Sequence, residues 1–244
     1  MTTELLIVAC ACVTVVAFLY SSVGHAGASG YIAAMTLLGF APAQIKPTAL
    51  VLNILVASLG ALQFWRAGHF SWRLFWPFAV LSVPCAFLGG YLNLPLPVFK
   101  IVVGLVLLYS AVRFFIDPRD VTELRTPPLP ASLGSGAALG LLSGLTGVGG
   151  GIFLTPLVLL MGWARIKTAA AVSAMFILAN SVAGLSGNIS ATRQFPTFAI
   201  SLAACALMGG LAGSWLGSRR FSPVIIKRML SVVLTIAGLK LILG

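Results

Sequence analysis

The sequence predicts an all-α, polytopic integral membrane protein made of two inverted repeats of about five hydrophobic segments each, with glycine-broken short or re-entrant helices. Three observations carry that prediction. Of the 244 residues, 59% are hydrophobic and only 8% charged, where soluble domains carry about 25% charged residues. The two halves share a series of local landmarks. Each half is also interrupted at the same place by a glycine-rich break, Gly24-His25-Ala26-Gly27-Ala28-Ser29-Gly30 in the first and Gly147-Val148-Gly149-Gly150-Gly151 in the second.

The apolar segments of the first half fall at about 5–22, 28–40, 47–65, 73–92 and 97–115. Met1-Thr2-Thr3-Glu4 lacks the basic start of a cleaved signal peptide, so the first run reads as structural. It ends at the break because glycine loses more backbone freedom in a helix than any other residue. The second segment is short: as a helix it would rise only about 20 Å against a hydrocarbon core of about 30 Å. The third opens at Ile45-Lys46-Pro47-Thr48-Ala49, the fourth carries Cys85-Ala86-Phe87-Leu88-Gly89-Gly90, and the fifth opens at Pro97-Val98-Phe99-Lys100.

The second half places segments at about 131–145, 151–162, 168–188, 196–217 and 223–243, with matching landmarks. These are Ile166-Lys167-Thr168-Ala169-Ala170, Cys205-Ala206-Leu207-Met208-Gly209-Gly210 and Pro223-Val224-Ile225-Ile226-Lys227. The proline-containing stretch with Asp117, Asp120 and Glu123 separates the halves. The organisation is therefore repeat 1 over 1–116, a linker over 117–131 and repeat 2 over 132–244, together one transport domain.

Positive residues choose the orientation, because they concentrate in cytoplasmic loops. If each short pair crossed once, Lys46, Lys100, Arg165, Lys167, Arg219, Arg220, Lys227 and Arg228 would face the other seven cations, and no bias would remain. If each pair returns to its starting side, only Lys46, Lys100, Arg193 and Lys240 are left against eleven. The second arrangement restores the bias. It makes the repeats inverted, puts both termini on the periplasmic side and the linker in the cytoplasm.

The net charge is +11, and the four acids (Glu4, Asp117, Asp120, Glu123) all lie outside the spans. Carboxylate-based cation coupling inside the membrane is therefore not expected. Cys10, Cys12, Cys85 and Cys205 sit in apolar segments as small filler, without CxxC or zinc spacing. No metal, cofactor or catalytic residue is expected, and no nucleotide-binding loop is present. The cationic excess reads as topological bias and contact with anionic membrane lipid rather than with nucleic acid. Trp65, Trp72, Trp76, Trp163 and Trp215 fall near segment ends, as an interfacial belt would.

The breaks are the candidate substrate site. A helix resuming after a break presents unpaired amides and the positive end of its dipole, and glycines let an anion approach them. Gly24, His25, Ala26, Gly27, Ala28, Ser29 and Gly30 form one half-site; Gly147, Val148, Gly149, Gly150 and Gly151 form the other. In an inverted repeat the two enter from opposite faces and meet near the midplane. His25 offers an imidazole donor or proton carrier, and Ser29 a hydroxyl. Asn53 and Asn180 are amides inside the helices after the short segments, serving as lining or as interhelical glue. Lys46 and Lys167, at repeat-related helix starts, are candidate vestibule cations or interfacial anchors.

The duplicated Gly-rich break, the short apolar helix, the Lys-x-Thr-Ala or Lys-Thr-Ala start and the second half's Gly147-Val148-Gly149-Gly150-Gly151-x4-Pro156 resemble the sulfite exporter TauE/SafE family over essentially the whole chain. That resemblance implies a permease for sulfite, sulfonates or sulfoacetate, or related small organic anions, in a bacterial inner membrane, with export favoured over import. An anion channel is the alternative. An intramembrane enzyme would need a nucleophile–base pair, a carboxylate dyad or a metal cluster that the spans lack. A scaffold would leave the doubled breaks unexplained. A homo-oligomer is compatible with all of these.

Overall fold

The computed structural model describes residues 3–92, 97–116, 124–193 and 199–243. Within them the chain is all-α: α1 (Thr3–Ser22), α2 (Ala28–Leu37), α3 (Pro42–Arg66), α4 (Trp72–Tyr91), α5 (Pro97–Ile116), α6 (Leu129–Thr146), α7 (Gly151–Leu160), α8 (Ile166–Thr192), α9 (Ala199–Trp215), a π turn over Leu216–Arg220, and α10 (Pro223–Leu243). The helices α1, α3, α4, α6, α8, and α9 with its π turn, are long and apolar enough to cross a membrane. The acids of the linker, Asp117, Asp120 and Glu123, lie outside the described residues.

Element boundaries differ from the sequence reading where proline and glycine act differently from the simple rule. α2 stops at Leu37, three residues early, because Gly39 adopts a left-handed φ of 74°. Its N–H bonds the Thr36 carbonyl at 3.1 Å while Phe40 bonds Met35 at 3.0 Å, the paired closure that satisfies two terminal carbonyls. α3 starts at Pro42 rather than near Pro47, because proline is pre-organised for a helix start. Pro47 is carried inside the helix.

The most extensive helix pairings run across the two halves. α1 runs parallel to α9, with Gly209, Gly213 and Gly217 lying on the carbonyls of Thr14, Phe18 and Ser22. α4 runs parallel to α6 in the same way, with Gly136, Gly140 and Gly144 on the carbonyls of Phe78, Ser82 and Ala86. A Cβ at any of these six glycines would overlap the partner's backbone, so the ladders fix helix separation at its minimum. α3 and α8 cross antiparallel at the centre: Leu50 meets Gly184, Asn53 meets Ser181 and Gly60 meets Ala174.

Exchanging each helix for its counterpart maps this arrangement onto itself. The α1–α9 pair becomes α6–α4, α3–α9 becomes α8–α4, and α3–α8 and α5–α10 map to themselves. Antiparallel counterparts α3 and α8 are what inversion requires. One core gathers α1, α2, α3 and α9 around Val13, Tyr31, Met35, Leu52, Val56 and Leu202. The other gathers mainly α4, α5, α7, α8 and α10 around Phe78, Phe114, Leu154, Phe176, Leu230 and Leu234. Trp65, Trp72, Trp76 and Trp215 keep substantial exposure, as a belt requires. Trp163 differs: its ring turns inward to Phe78, centroids 6.1 Å apart.

Candidate functional site at the two helix breaks

Both breaks share a pair of left-handed glycines, to which the second adds Gly149 (φ 80°). Gly24 (φ 79°) and Gly147 (φ 77°) end α1 and α6; Gly27 (φ 105°) and Gly150 (φ 77°) immediately precede α2 and α7. Only glycine takes these angles without a Cβ penalty. At the first break the Gly24 N–H bonds Ser21 O at 3.1 Å and the His25 N–H bonds Tyr20 O at 2.9 Å. At the second the Gly147 N–H bonds Ser143 O at 2.8 Å. Each following helix has ten residues and rises about 15 Å, half of a bilayer core.

The breaks meet. His25 Nε2 lies 3.1 Å from the Gly151 carbonyl and 3.0 Å from Thr155 Oγ1, so the first break's side chain docks on the second break's helix. Thr155 Oγ1 is in turn 2.6 Å from Ser173 Oγ of α8. A carbonyl only accepts, so the bond to Gly151 puts the imidazole proton on Nε2 and leaves Nδ1 a buried acceptor without a protein partner.

Asn53 of α3 ties both breaks together. Its Oδ1 accepts the Ala28 N–H at 3.0 Å, closing the first turn of α2. Its Nδ2 donates to Ser181 Oγ of α8 at 3.3 Å. A Cβ on Gly149 would come within 2.8 Å of that Nδ2 and 3.0 Å of that Oγ. The glycine is what lets the amide and the second break approach.

Asn180 is placed differently. Its Oδ1 accepts from Ser82 Oγ of α4 at 2.8 Å, and its Nδ2 is buried without a partner. Ser29 is also turned from the meeting point: its hydroxyl donates to Tyr20 OH at 2.9 Å, and its carbonyl accepts the Lys240 ammonium at 3.1 Å. Ala26 is held by Tyr31, whose OH donates to its carbonyl at 2.6 Å. The repeat-related lysines diverge. The Lys46 stem lies against Gly147, where a Cβ would be 2.9 Å from its Cγ. The Lys167 ammonium instead donates to the Ser218 carbonyl in the π turn at 3.4 Å, a carbonyl also within 3.2 Å of His69 Nε2. Burial and the Lys167 charge hold the His69 imidazole below its usual range, against the opposing effect of the Ser218 bond.

Thr155, Ser173, Ser181, Ser82, Tyr20 and Lys240 were not legible as site residues. Serine and threonine in membrane helices usually bond their own preceding carbonyl, so nothing in their type or spacing separates these from Ser58 or Ser186, which do so. Thr155 carried the one available signal, its position one turn after Gly151 on α7.

By its family and by a curated relative the chain is a polytopic helical membrane transporter, and its two membrane breaks meet at buried polar side chains with no carboxylate among the described ones. The chain belongs to the sulfite exporter TauE/SafE family, whose model matches residues 9–241. It is 43% identical over 233 residues to the probable membrane transporter protein y4hK of Sinorhizobium fredii (strain NBRC 101917 / NGR234), covering 93% of this chain and 94% of that one. No solved structure matches it.

Proposed function

We propose that this protein is a secondary transporter that moves a small sulfur-containing or organic anion, of the sulfite, sulfonate or sulfoacetate class, across the bacterial inner membrane. Export is its direction and alternating access its mode. One observation carries the reading: two left-handed glycine breaks converge, so that the N-termini of α2 and α7 and a set of neutral donors are buried together. Such a site selects negative charge without a resident cation, because amide dipoles supply the field and no carboxylate opposes it. The cross-paired helices favour two moving bodies, α1–α2–α3–α9 and α4–α6–α7–α8, over motion of one sequence half against the other.

Both termini are placed in the periplasm and the linker in the cytoplasm, on the eleven-to-four split of cations. The test is uptake of radiolabelled sulfite into proteoliposomes, with thiosulfate, methanesulfonate, sulfoacetate, sulfate and chloride as competitors. Saturable uptake that a sulfur oxyanion or sulfonate blocks and chloride does not is the expected result. Absence of flux for sulfite, and for each of the other sulfur anions labelled in its turn, refutes the assignment.

A further inference from the structure

We propose that the anion's charged group is seated asymmetrically, at the N-terminus of α7 between Ser143 and Asn180, and not shared evenly by the two breaks. This rests on the transporter reading above and specifies where in that site the negative oxygens bind.

The two helix starts look alike in backbone but not in what surrounds them. α2's first N–H is already taken, because Ala28 donates to Asn53 Oδ1 at 3.0 Å, although its Ser29 and Gly30 N–H have no acceptor among the described residues. Among the described residues nothing accepts the Gly151 or Ile152 N–H of α7; its first intrahelical bonds come from Phe153 and Leu154, both to the Gly150 carbonyl at 3.1 Å. The first amides of a helix have no intrahelical partner by construction.

Beside that start lie two buried donors without partners. Ser143, at 0% exposure, closes the last turn of α6, and its Oγ bonds nothing. Its Cβ stands 3.2 Å from where a Cβ on Gly150 would be, so it flanks the residue that precedes α7. Asn180, also at 0% exposure, spends its Oδ1 on Ser82 and has its Nδ2 unpaired. The residues one turn to either side of it on α8 bracket the same region: Phe176 touches the Gly150 position and Gly184 sits against Gly144, the residue after Ser143. Buried polar groups are almost always paired, and one left without a partner costs free energy on folding. Two such donors at an open helix start are accounted for by a ligand that only accepts.

The same corner has the nearer vestibule cation. The Lys46 stem lies on Gly147, at the opening of the second break, whereas its counterpart Lys167 is bound to the Ser218 carbonyl of the π turn. A cation at this approach and neutral donors within match a small oxyanion that presents two or more acceptor oxygens to α7. The start of α2, with Asn53 on its first amide and no unpaired side-chain donor shown beside it, then faces the substrate's less charged side.

Ser143→Ala and Asn180→Leu are the test variants. Ser214→Ala is the control, removing a buried hydroxyl that is committed to its own helix at Gly210 O, 2.6 Å away. Two readouts are used on the purified full chain: half-saturation for radiolabelled sulfite counterflow in proteoliposomes, and thermal stabilisation in detergent by sulfite, methanesulfonate and sulfoacetate. Each test variant is expected to raise both the half-saturation and the anion concentration needed for stabilisation by about tenfold or more, the loss typical of one hydrogen bond to a charged group, while Ser214→Ala stays within about twofold. Ser143→Ala breaks no existing bond, so it folds even if Asn180→Leu does not. Wild-type half-saturation in Ser143→Ala overturns the seat and leaves the transporter reading standing. Anion stabilisation that Ser143→Ala abolishes, in a protein without flux, supports the seat and refutes the carrier. Neither flux nor stabilisation in the wild type overturns both.

Discussion

Replacing Asn53 separates what the central amide does for the fold from what it does for an anion. The residue is fully buried, and its Oδ1 takes the Ala28 N–H at 3.0 Å. Asn53→Ala leaves that N–H buried and unpaired, which costs about 1–3 kcal/mol, and a lost helix cap costs about 1 kcal/mol on its own. These describe the same group in two ways, so the two are not added. With the weaker 3.3 Å bond to Ser181 also lost, a net destabilisation of about 2–3 kcal/mol is expected. At about 2–4 °C per kcal/mol for a chain of this size, the unfolding midpoint falls by roughly 4–12 °C.

Asn53→Asp keeps an acceptor of the same shape and adds a negative charge, which the α2 dipole favours. Burying that charge costs stability that the dipole only partly offsets, and while the carboxyl is ionised a fixed charge stands between the breaks. A substrate anion about 6 Å away would be repelled by roughly 3 kcal/mol at an effective dielectric of 20, close to a hundredfold in affinity. The assay pairs a thermal melt with sulfite counterflow, and Asn53→Asp flux should recover as falling pH protonates the carboxyl. An alanine variant as stable as the wild type, or an aspartate variant that transports normally, would refute the placement of Asn53 between the two helix starts.

Other expectations follow from the same contacts. Gly140→Ala drives a Cβ into the Ser82 backbone and should cost about 3 kcal/mol or more, whereas Gly134→Ala on the same helix meets nothing within 4 Å and should gain about 0.5–1 kcal/mol; relative melting temperatures decide it. Thr155→Val preserves shape but cuts the His25–Thr155–Ser173 chain, and a loss of about 1–3 kcal/mol in stability is expected in the same assay. His69 binds its proton less readily folded than unfolded, so the unfolded state takes up more protons as pH falls. Its contribution is therefore intact above the ordinary histidine value of about 6.5 and declines as pH drops below it. His69→Gln should flatten the melting-temperature profile between pH 7.5 and 5.

The fold was legible because its signals are one-dimensional. Segment lengths, the doubled landmarks and the placement of lysine and arginine all survive projection onto a string. The glycines of both breaks were legible for the same reason, since a left-handed turn between helices asks for glycine wherever it occurs. Pairing was not. That Gly213 lies on Phe18, or Gly140 on Ser82, depends on which helix faces which, and a glycine carries no record of the backbone it admits. Asn53 and Asn180 looked equivalent in sequence, yet one closes α2 and the other bonds α4. Offset along α3 and α8 decides that, and only packing sets the offset. The π turn at Leu216–Arg220 left no composition signal beyond its two arginines.

The cross-pairing has a consequence for how the chain is made. α1 leaves the ribosome long before α9, yet α9 holds the glycines that fit its carbonyls at Thr14, Phe18 and Ser22. During synthesis this face of α1 must be covered by lipid or by the insertion machinery, and the helix stays free to shift until the last fifth of the polypeptide arrives. α4 waits a shorter time, for α6. A fragment ending at residue 116 therefore has neither partner and should be a substrate for membrane proteolysis. Co-expression with residues 117–244 should rescue it, because the missing ladders would then be supplied from the second fragment. The two halves complete one another across the α1–α9 and α4–α6 ladders, and a separated half lacks the backbone its glycines or carbonyls fit.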